Sequence, residues 1–410
     1  MEAGEKQLEQ TLPGLGSPSA CAPAVQTGPG ADGTVLPELL ELDFAALSEA
    51  LAALGEPKFR AKQLYAWLHQ RKASSFDEMT DMPKALRKTL AEQYRLTVME
   101  PVDVLISKLD GTRKYVFELY DGNVIEAVLM RYHHGNSVCI SSQVGCRMGC
   151  RFCASTLDGC VRNLSAAEML SEVYRIERDT GERVSNVVIM GSGEPLDNFA
   201  EVLRFLRMIS DEHGLHISQR NLTLSTCGLV PRMLELAECN LQITLALSLH
   251  APEQATREQL MPIAKVYPLS DVLEACRVYH QKTGRRVSFE YAVVRGVNDN
   301  RAEALKLAAL LAGMQGHVNL IPVNPIKERA FESPDRSAVL AFQHTLEAAG
   351  INATIRREMG RDINSACGQL RRRYIARGTE KPAFRQESSK QELPKQKVPR
   401  QEAFQQGASR

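Results

Sequence analysis

The pattern of apolar and polar positions along the chain predicts an α/β protein. Short apolar runs alternate with segments in which apolar residues recur at helical spacing, as expected for strands that alternate with helices. The predicted strands span residues 184–190, 221–225, 242–248, 287–293, 318–321 and 352–355, and the predicted helices include residues 166–176, 200–210, 270–282 and 301–312. Roughly six apolar strands separated by helices predict a parallel sheet, here a partial (βα)6 barrel. In such a barrel the chemistry lies at the carboxyl ends of the strands.

The segments on either side of the barrel have different patterns. Residues 37–100 predict a small helical domain, with one helix at residues 83–94 that has a proline in its first turn and another that buries an apolar face. That face consists of Ala61, Leu64, Tyr65 and Leu68. Residues 101–136 alternate as strands do and predict a β-meander. The barrel, with a C-terminal cysteine loop, takes residues 137–376, whereas a leader at 1–36 and a polar tail at 377–410 have the composition of disordered segments.

The overall composition is that of an ordinary soluble protein, and the net charge of +1 means that RNA binding would need a local basic face. No apolar run approaches a membrane span, and the N-terminal residues lack the features of a signal peptide. We therefore expect a cytoplasmic protein without membrane contact. The 10 cysteines do not form a regular framework of pairs, which favours metal or redox use over structural disulfides. No heptad pattern stands out, so we expect a monomer.

Three cysteines at C-x3-C-x2-C spacing, Cys146, Cys150 and Cys153, are the most informative motif of the chain. Three thiolates this close together can bind three irons of a [4Fe-4S] cluster and leave the fourth iron open, whereas a closed zinc site needs four protein ligands. The alternatives are a zinc knuckle with a distant fourth ligand and three unrelated buried thiols. A helix and a Gly-Ser-Gly-Glu-Pro turn at residues 191–195 follow the triplet, which favours the cluster.

The triplet resembles that of the radical S-adenosylmethionine (SAM) enzymes, in which the amino acid end of SAM binds the open iron. Five further motifs resemble the RNA methyltransferases that methylate C2 of adenine, and the resemblance runs from about residue 44 to residue 374. These motifs are VCISSQVGC at 138–146, GEPL at 193–196, SLHAP at 248–252, IPVNP at 321–325 and RDINSACGQL at 361–370. The resemblance implies one [4Fe-4S] cluster with three cysteine ligands, and SAM as cofactor, with two SAM molecules used per methyl group.

The resemblance also assigns residues to SAM binding. Gly193 and Glu194 would meet the amino acid end of SAM, because a glycine turn lets the backbone come close and a carboxylate accepts hydrogen bonds from an ammonium. Residues at strand ends would contact the ribose, adenine or carboxylate of SAM: Ser225, Ser248, Leu249, His250 and Asn324. Taken singly, each polar residue of this set could be an ordinary turn or cap residue. Ser192 stands where we expect methionine in the family, a departure that should alter local packing only.

Two further cysteines carry the implied methyl transfer. Adenine C2 is electron-poor and bonded to hydrogen, so it cannot attack the methyl group of SAM as a nucleophile. By resemblance, Cys367 is methylated by one SAM, and a second SAM is cleaved to a 5′-deoxyadenosyl radical that takes a hydrogen from the S-methyl group. The methylene radical adds to C2; Cys139 then takes the C2 proton and attacks the Cys367 sulfur, which leaves a disulfide for a reductant to reopen.

Other candidate residues have weaker support. Glu126 resembles a glutamate placed near the reacting base, as a proton acceptor, although a lone carboxylate on a strand usually faces solvent. We expect four cysteines to be buried structural thiols and a fifth to lie in the disordered leader. The four are Cys160, Cys227, Cys239 and Cys276, and the fifth is Cys21.

The implied substrates are adenine in 23S rRNA near the peptidyl transferase centre and, for many members, the adenine 3′ of the tRNA anticodon. The base would be turned out of the RNA, and an electron donor such as a flavodoxin would supply the reductant. Two groups of basic residues are candidate RNA contacts, with plain solvated faces as the alternative. They are Lys58, Arg60, Lys62, Arg71, Lys72, Lys84, Arg87 and Lys88 in the helical domain, and Arg356, Arg357, Arg361, Arg371, Arg372, Arg373 and Arg377 near the Cys367 loop.

Three other functions compete with this one. A C8-adenine methyltransferase would use the same machinery on a different carbon. A radical SAM enzyme acting on a small molecule would leave the pair Cys139 and Cys367 without a purpose. A non-enzymatic RNA-binding protein with a zinc site would need a fourth ligand that the triplet does not offer.

Overall fold

One large mixed sheet forms the centre of the protein. The computed structural model describes residues 21, 27–29, 35–96, 99–365 and 369. Ten strands form the sheet in the order β14-β13-β12-β11-β10-β9-β6-β5-β4-β3. The strands of the described residues are β1 (Thr27–Pro29), β2 (Val35–Pro37), β3 (Pro101–Ile106), β4 (Arg113–Glu118), β5 (Val124–Tyr132), β6 (Gly135–Ile140), β7 (Gln143–Gly145), β8 (Cys160–Asn163), β9 (Val184–Ile189), β10 (Leu222–Thr226), β11 (Thr244–Ser248), β12 (Val287–Val293), β13 (Gly316–Pro322) and β14 (Ala353–Ile355).

Helices connect the parallel strands, as the hydrophobic pattern predicts. The α-helices of the described part are α1 (Phe44–Ala53), α2 (Phe59–Tyr65), α3 (Lys84–Gln93), α4 (Ala166–Thr180), α5 (Phe199–Ser210), α6 (Val230–Glu238), α7 (Gln254–Leu260), α8 (Leu269–Thr283), α9 (Arg301–Leu310) and α10 (Arg336–Ala348). None of them is both long and apolar enough to cross a membrane. The strands β6 and β9 to β14 pair in parallel, so the prediction of a parallel sheet in an α/β protein is confirmed.

The β-meander belongs to the same sheet as the parallel strands. The strands β3, β4, β5 and β6 pair antiparallel in sequence, and β6 then pairs in parallel with β9. Cys139 pairs with Val128 on one side and with Val188 on the other, at the junction of the two halves. The meander is therefore an extension of the catalytic sheet along one edge.

The helical segment packs through the face that its sequence predicts. Ala61, Leu64, Tyr65 and Leu68 are all at most 3% exposed. A π-helical turn, Ala66–Gln70, extends α2 and places His69 inside the protein, where its Nδ1 lies 2.8 Å from the hydroxyl of Tyr174 on α4. This contact joins the helical segment to the first helix of the barrel.

A few residues of the predicted leader lie within the described part of the chain. The strands β1 and β2 form an antiparallel pair, and Cys21 forms a disulfide with Cys160, with a Cα–Cα distance of 5.2 Å that suits such a bond. The cysteine pattern favoured metal or redox use over structural disulfides, so the sequence did not predict this disulfide. Cys160 and Cys239 are also half-buried, whereas Cys227 and Cys276 are buried as predicted. The predicted tail at 377–410 lies outside the described residues.

Candidate active site

The three cysteines of the triplet lie in the loop between β7 and β8. The two strands pair antiparallel, and the N–H of Cys146 donates a 2.9 Å hydrogen bond to the carbonyl of Gly159 across the base of the loop. Thr156 ties the other end, because its hydroxyl lies 2.9 Å from the carbonyl oxygens of both Cys150 and Cys153. Burial raises the pKa of the thiols of Cys146 and Cys150, so binding a metal there must displace protons.

The glycine turn after β9 is clamped against the start of the cysteine loop. The carbonyl of Ser192 accepts hydrogen bonds from the N–H groups of Ser142 and Gln143, at 2.8 and 3.1 Å. Gly193 has a φ of +108°, and a Cβ there would lie 2.7 Å from atoms of Gln143 and Ser142. Only glycine fits this conformation and this close approach. The side chain of Gln143 completes the clamp by accepting from the N–H of Glu194 at 2.8 Å.

The Glu194 carboxylate lies under this turn and is 4% exposed. It accepts hydrogen bonds from the N–H groups of Cys227, at 2.8 Å, and Leu196, at 3.1 Å. Burial raises its pKa to about 7, against the opposing effect of these hydrogen bonds. Glu194 therefore both fixes the ends of two strands and presents a carboxyl group to the adjoining cleft.

The predicted polar residues at the strand ends converge on one cleft. The cleft encloses a volume of about 150 Å³. Residues from the cysteine loop, the glycine turn and the ends of three further strands line it together: Cys146, Cys150, Cys153, Gly193, Glu194, Ser225, Ser248, His250 and Asn324. Leu249 is the exception, since its side chain is fully buried in the core and does not line the cleft.

His250 is held in an unusual backbone conformation at this cleft. Its φ is +61°, a region that non-glycine residues rarely occupy and that often marks a functional constraint. Nδ1 accepts a 2.8 Å hydrogen bond from the N–H of Ala292, and the ring meets Phe152 of the cysteine loop edge to face at 4.8 Å between centroids. Burial lowers the pKa of His250 to about 3, so the ring is neutral and its Nε2 carries the proton.

Two further cavities continue from the cleft toward the Cys367 loop. Arg356 and Asn324 line both the first cleft and a second cavity, which also includes Met359 and Gln369. The third cavity shares Gln369 with the second and contains Glu126 and Lys114. Glu126 is 6% exposed and forms a 3.2 Å ion pair with Lys114, so it does not face solvent as a lone strand carboxylate would.

Cys139 lies beside the beginning of the Cys367 loop. It is 6% exposed and packs in a small apolar cluster with Val128, Met130 and Met359. Met359 immediately precedes Gly360, where the loop begins. Cys367 itself lies outside the described residues, as do the predicted basic residues Arg371, Arg372, Arg373 and Arg377.

The basic residues of the helical segment only partly form a free cationic surface. Five of the eight form ion pairs with carboxylates, namely Arg60, Arg71, Lys72, Arg87 and Lys88. Lys58, Lys62 and Lys84 are exposed, and no ion pair within the described ranges involves them.

Comparisons with known proteins agree with this geometry. Residues 37–96 match the ribosomal RNA large subunit methyltransferase N-terminal domain, and residues 140–308 match the radical SAM superfamily. A relative from Lachnospira eligens, named a probable dual-specificity RNA methyltransferase RlmN, is 57% identical over 82% of this chain and 97% of its own length. A relative of the same name from Lachnoclostridium phytofermentans is 58% identical over 82% of this chain and 95% of its own.

The chain belongs to the RlmN family of radical SAM RNA methyltransferases. The crystal structure of a radical SAM methyltransferase from Sphaerobacter thermophilus has the same fold. It is 44% identical, with a TM-score of 0.79, and the match covers 82% of this chain and 99% of that one. The helical segment and the barrel of the present chain thus correspond to the two parts that the RlmN family combines.

The cysteine loop fits the [4Fe-4S] cluster and the SAM that membership of the RlmN family implies. Within the described residues, no three His, Cys, Asp or Glu side chains converge tightly enough to hold a single metal ion. A cluster binds each thiolate to a different iron and therefore accepts ligands that lie further apart. Glu194 and the glycine turn border the same cleft as the three cysteines.

Two charged residues at or behind the cleft of this RlmN-family protein were not predicted from the sequence. Glu290 is 4% exposed on β12, lines the cleft and accepts hydrogen bonds from Ser288 and Asn319, at 2.7 and 2.8 Å. A carboxylate in the middle of an apolar strand was the signal that could have revealed it. Arg257 on α7 is fully buried behind the cleft, and nothing in its local sequence indicates this position. Arg356 was predicted as a phosphate contact, yet it also lines the cleft, 3.9 Å from Glu290.

Proposed function

We propose that this protein methylates C2 of adenine in 23S rRNA, and in tRNA the adenine 3′ of the anticodon. The dual-specificity RNA methyltransferase names of its relatives support both RNA classes. The observation that carries the proposal is the position of Cys139, buried beside Met359 where the Cys367 loop begins. The described start of that loop lines the second cavity, which shares residues with both the first cleft and the cavity of Glu126.

Each step assigns a task to a residue of this chain. Cys146, Cys150 and Cys153 would hold the [4Fe-4S] cluster, which would supply the electron for cleaving SAM to a 5′-deoxyadenosyl radical. Cys367 accepts a methyl group from a first SAM and, after hydrogen abstraction by that radical, forms the bond to C2. Cys139 takes the C2 proton while the adduct radical gives up one electron, which the cluster would accept. As a thiolate, Cys139 then attacks the Cys367 sulfur; the bond between that sulfur and the new methylene carbon breaks, and the carbon takes up a proton to become the methyl group.

The remaining components follow from this sequence of steps. Two SAM molecules are used per methyl group, one as methyl donor and one as radical source. An electron donor such as a flavodoxin reduces the cluster, and a thiol reductant reopens the disulfide between Cys139 and Cys367. We propose Gly193, Glu194, Ser225, Ser248, His250 and Asn324 as the SAM contacts and a cytoplasmic monomer as the working form. Glu126 would stand near the base, paired with Lys114.

Cysteine variants test these assignments. Cys367→Ala should abolish methyl transfer to RNA, because no thiolate remains to carry the methyl group. Cys139→Ala should stop after C2 is attacked and accumulate a covalent adduct of protein and RNA, visible on a denaturing gel with labelled RNA. Cys239→Ala is the matched control, since this half-buried thiol at the end of α6 lies outside the site. Normal turnover by Cys139→Ala or Cys367→Ala would contradict the assigned roles.

A further inference from the structure

Arg257 is a fully buried guanidinium that forms no ion pair with any carboxylate among the described residues. Its side chain is 0% exposed. A buried charge is normally paired, because transferring an isolated ion from water into a protein interior is strongly unfavourable. Another buried arginine of this chain, Arg162, follows the rule, since it lies 2.8 Å from Glu168 and 2.6 Å from Asp121.

The contacts of Arg257 leave its charge uncompensated. Nη2 donates to the carbonyl oxygens of Cys227 and Ser248, at 2.6 and 3.4 Å, and Nε donates to that of Leu249 at 3.2 Å. Nη1 is buried with no hydrogen-bond partner in the part of the chain that is described. All three acceptors are neutral, so they satisfy donors without supplying a negative charge.

The surroundings of Arg257 point to the cysteine loop as the source of that charge. Two of the residues that it contacts, Cys227 and Ser248, line the same cleft as Cys146, Cys150 and Cys153. The helix α7 is also joined to the loop directly, because the carbonyl of Leu260 accepts a 2.9 Å hydrogen bond from the N–H of Arg151.

We infer that Arg257 is the counter-charge of the iron–sulfur cluster and raises its reduction potential. The inference rests on the proposed function, which places the cluster on the three cysteines. A [4Fe-4S] cluster with three thiolates is an anion, and the electron that it takes from the external donor makes it more negative. A fixed positive charge in a site of low dielectric stabilises the more negative state and so favours reduction.

The competing role for Arg257 is purely structural. Its hydrogen bonds to Cys227, Ser248 and Leu249 could simply hold the ends of β10 and β11 together. Two substitutions separate charge from hydrogen bonding. Arg257→Lys keeps the charge and loses the planar fork of donors, whereas Arg257→Gln loses the charge and keeps an amide donor. Lys265→Gln is the control, because it removes one exposed positive charge from the turn that follows α7.

The test compares these proteins after anaerobic reconstitution with iron and sulfide. Iron and sulfide content is measured first, and the midpoint potential then comes from a redox titration followed by electron paramagnetic resonance. Arg257→Gln should shift the midpoint potential to a more negative value. The midpoint potentials of Arg257→Lys and Lys265→Gln should stay close to that of the wild type. A second readout is the rise in melting temperature on loading, which should be smaller for Arg257→Gln than for the wild type and Arg257→Lys.

Each contrary result has a distinct meaning. A wild-type protein that binds no iron and sulfide would overturn the proposed function, and the inference with it. A loaded Arg257→Gln variant with the wild-type potential would overturn the inference alone. The inference would also be overturned if the apo form of Arg257→Gln were unfolded under conditions in which the apo wild type is folded. The fold would then depend on the hydrogen bonds of Arg257 to the carbonyl groups rather than on its charge.

Discussion

Two aspartates hold the start of the Cys367 loop against the β-meander. Asp362 accepts hydrogen bonds from the hydroxyl of Ser107 at 2.7 Å and from the N–H of Lys108 at 2.9 Å. Asp110 accepts from the N–H of Gly360 at 2.9 Å. Burial alone would raise the pKa of Asp110. The hydrogen bonds from the N–H groups of Gly360 and Thr112 outweigh this effect and lower the pKa to about 2. The meander therefore positions the loop that carries the proposed methyl carrier.

Removing one of these contacts should separate methyl transfer from SAM cleavage. Asp362→Ala frees the loop while leaving the cleft intact, so we expect RNA methylation to fall between about tenfold and a hundredfold, the effect of a misplaced reacting group. Asp362→Asn should lose less, because its amide oxygen still accepts from Ser107. The measurement is the ratio of methylated RNA to 5′-deoxyadenosine formed; an unchanged ratio in Asp362→Ala would show that the loop needs no such anchor.

The residues that sequence reasoning missed share one physical feature. The cysteine triplet and the glycine turn were predictable because their chemistry depends on short spacing along the chain. Glu290 and Arg257 depend instead on tertiary neighbours, since the helix and strand patterns around them do not show that a charged side chain is buried. Leu249 was assigned to SAM by its place in a motif, and its side chain faces the core.

At the scale of elements, apolar periodicity predicted the strands and helices of the barrel within a few residues. It predicted the apolar face of α2 and the start of α3 beside Pro83 as well. It could not predict that β6 joins the meander to the parallel strands, because that pairing brings β6 and β9 together across the whole cysteine loop. The strand pair β1 and β2 was missed because its composition resembles that of disordered segments.

The contact between the helical segment and α4 should make stability depend on pH. Burial lowers the pKa of His69 from 6.5 to about 3, so the unfolded chain binds a proton there that the folded protein does not. Stability from this group is complete above pH 6.5 and is lost as the pH falls below it, at up to about 1.4 kcal/mol per pH unit. Chemical denaturation of the apo protein from pH 8 to pH 5 measures this slope.

Substitution identifies the group responsible. His69→Gln should reduce the slope, whereas His344→Gln should leave it unchanged, because His344 is exposed on α10. The assignment to His69 is wrong if its variant and the wild type lose stability in parallel as the pH falls.

At the scale of the whole molecule, a disulfide joins the leader to the strand that follows the cysteine loop. Cys21 and Cys160 are separated by 139 residues, and Cys160 begins β8. A cross-link over so long a loop stabilises a fold by about 4–5 kcal/mol in the chain-entropy model. Cys21→Ser should therefore lower the melting temperature of the apo protein in the absence of reductant.

Reductant provides the control for this prediction. With dithiothreitol present, the wild type and Cys21→Ser should melt together, and Cys239→Ser should match the wild type under both conditions. A wild-type melting temperature that does not respond to reductant would mean that the cross-link does not contribute to stability.

The path of the methyl group is the central claim, and isotope labelling tests it most directly. RNA is incubated with anaerobically reconstituted protein, a reductant and SAM that bears a trideuterated methyl group, and its nucleosides are analysed by mass spectrometry. Transfer through a methylene on Cys367 predicts 2-methyladenosine with two deuterium atoms, because one leaves with the 5′-deoxyadenosyl radical. A product that retains all three would mean direct polar transfer and contradict the roles of Cys139 and Cys367, and 8-methyladenosine would contradict the assigned carbon.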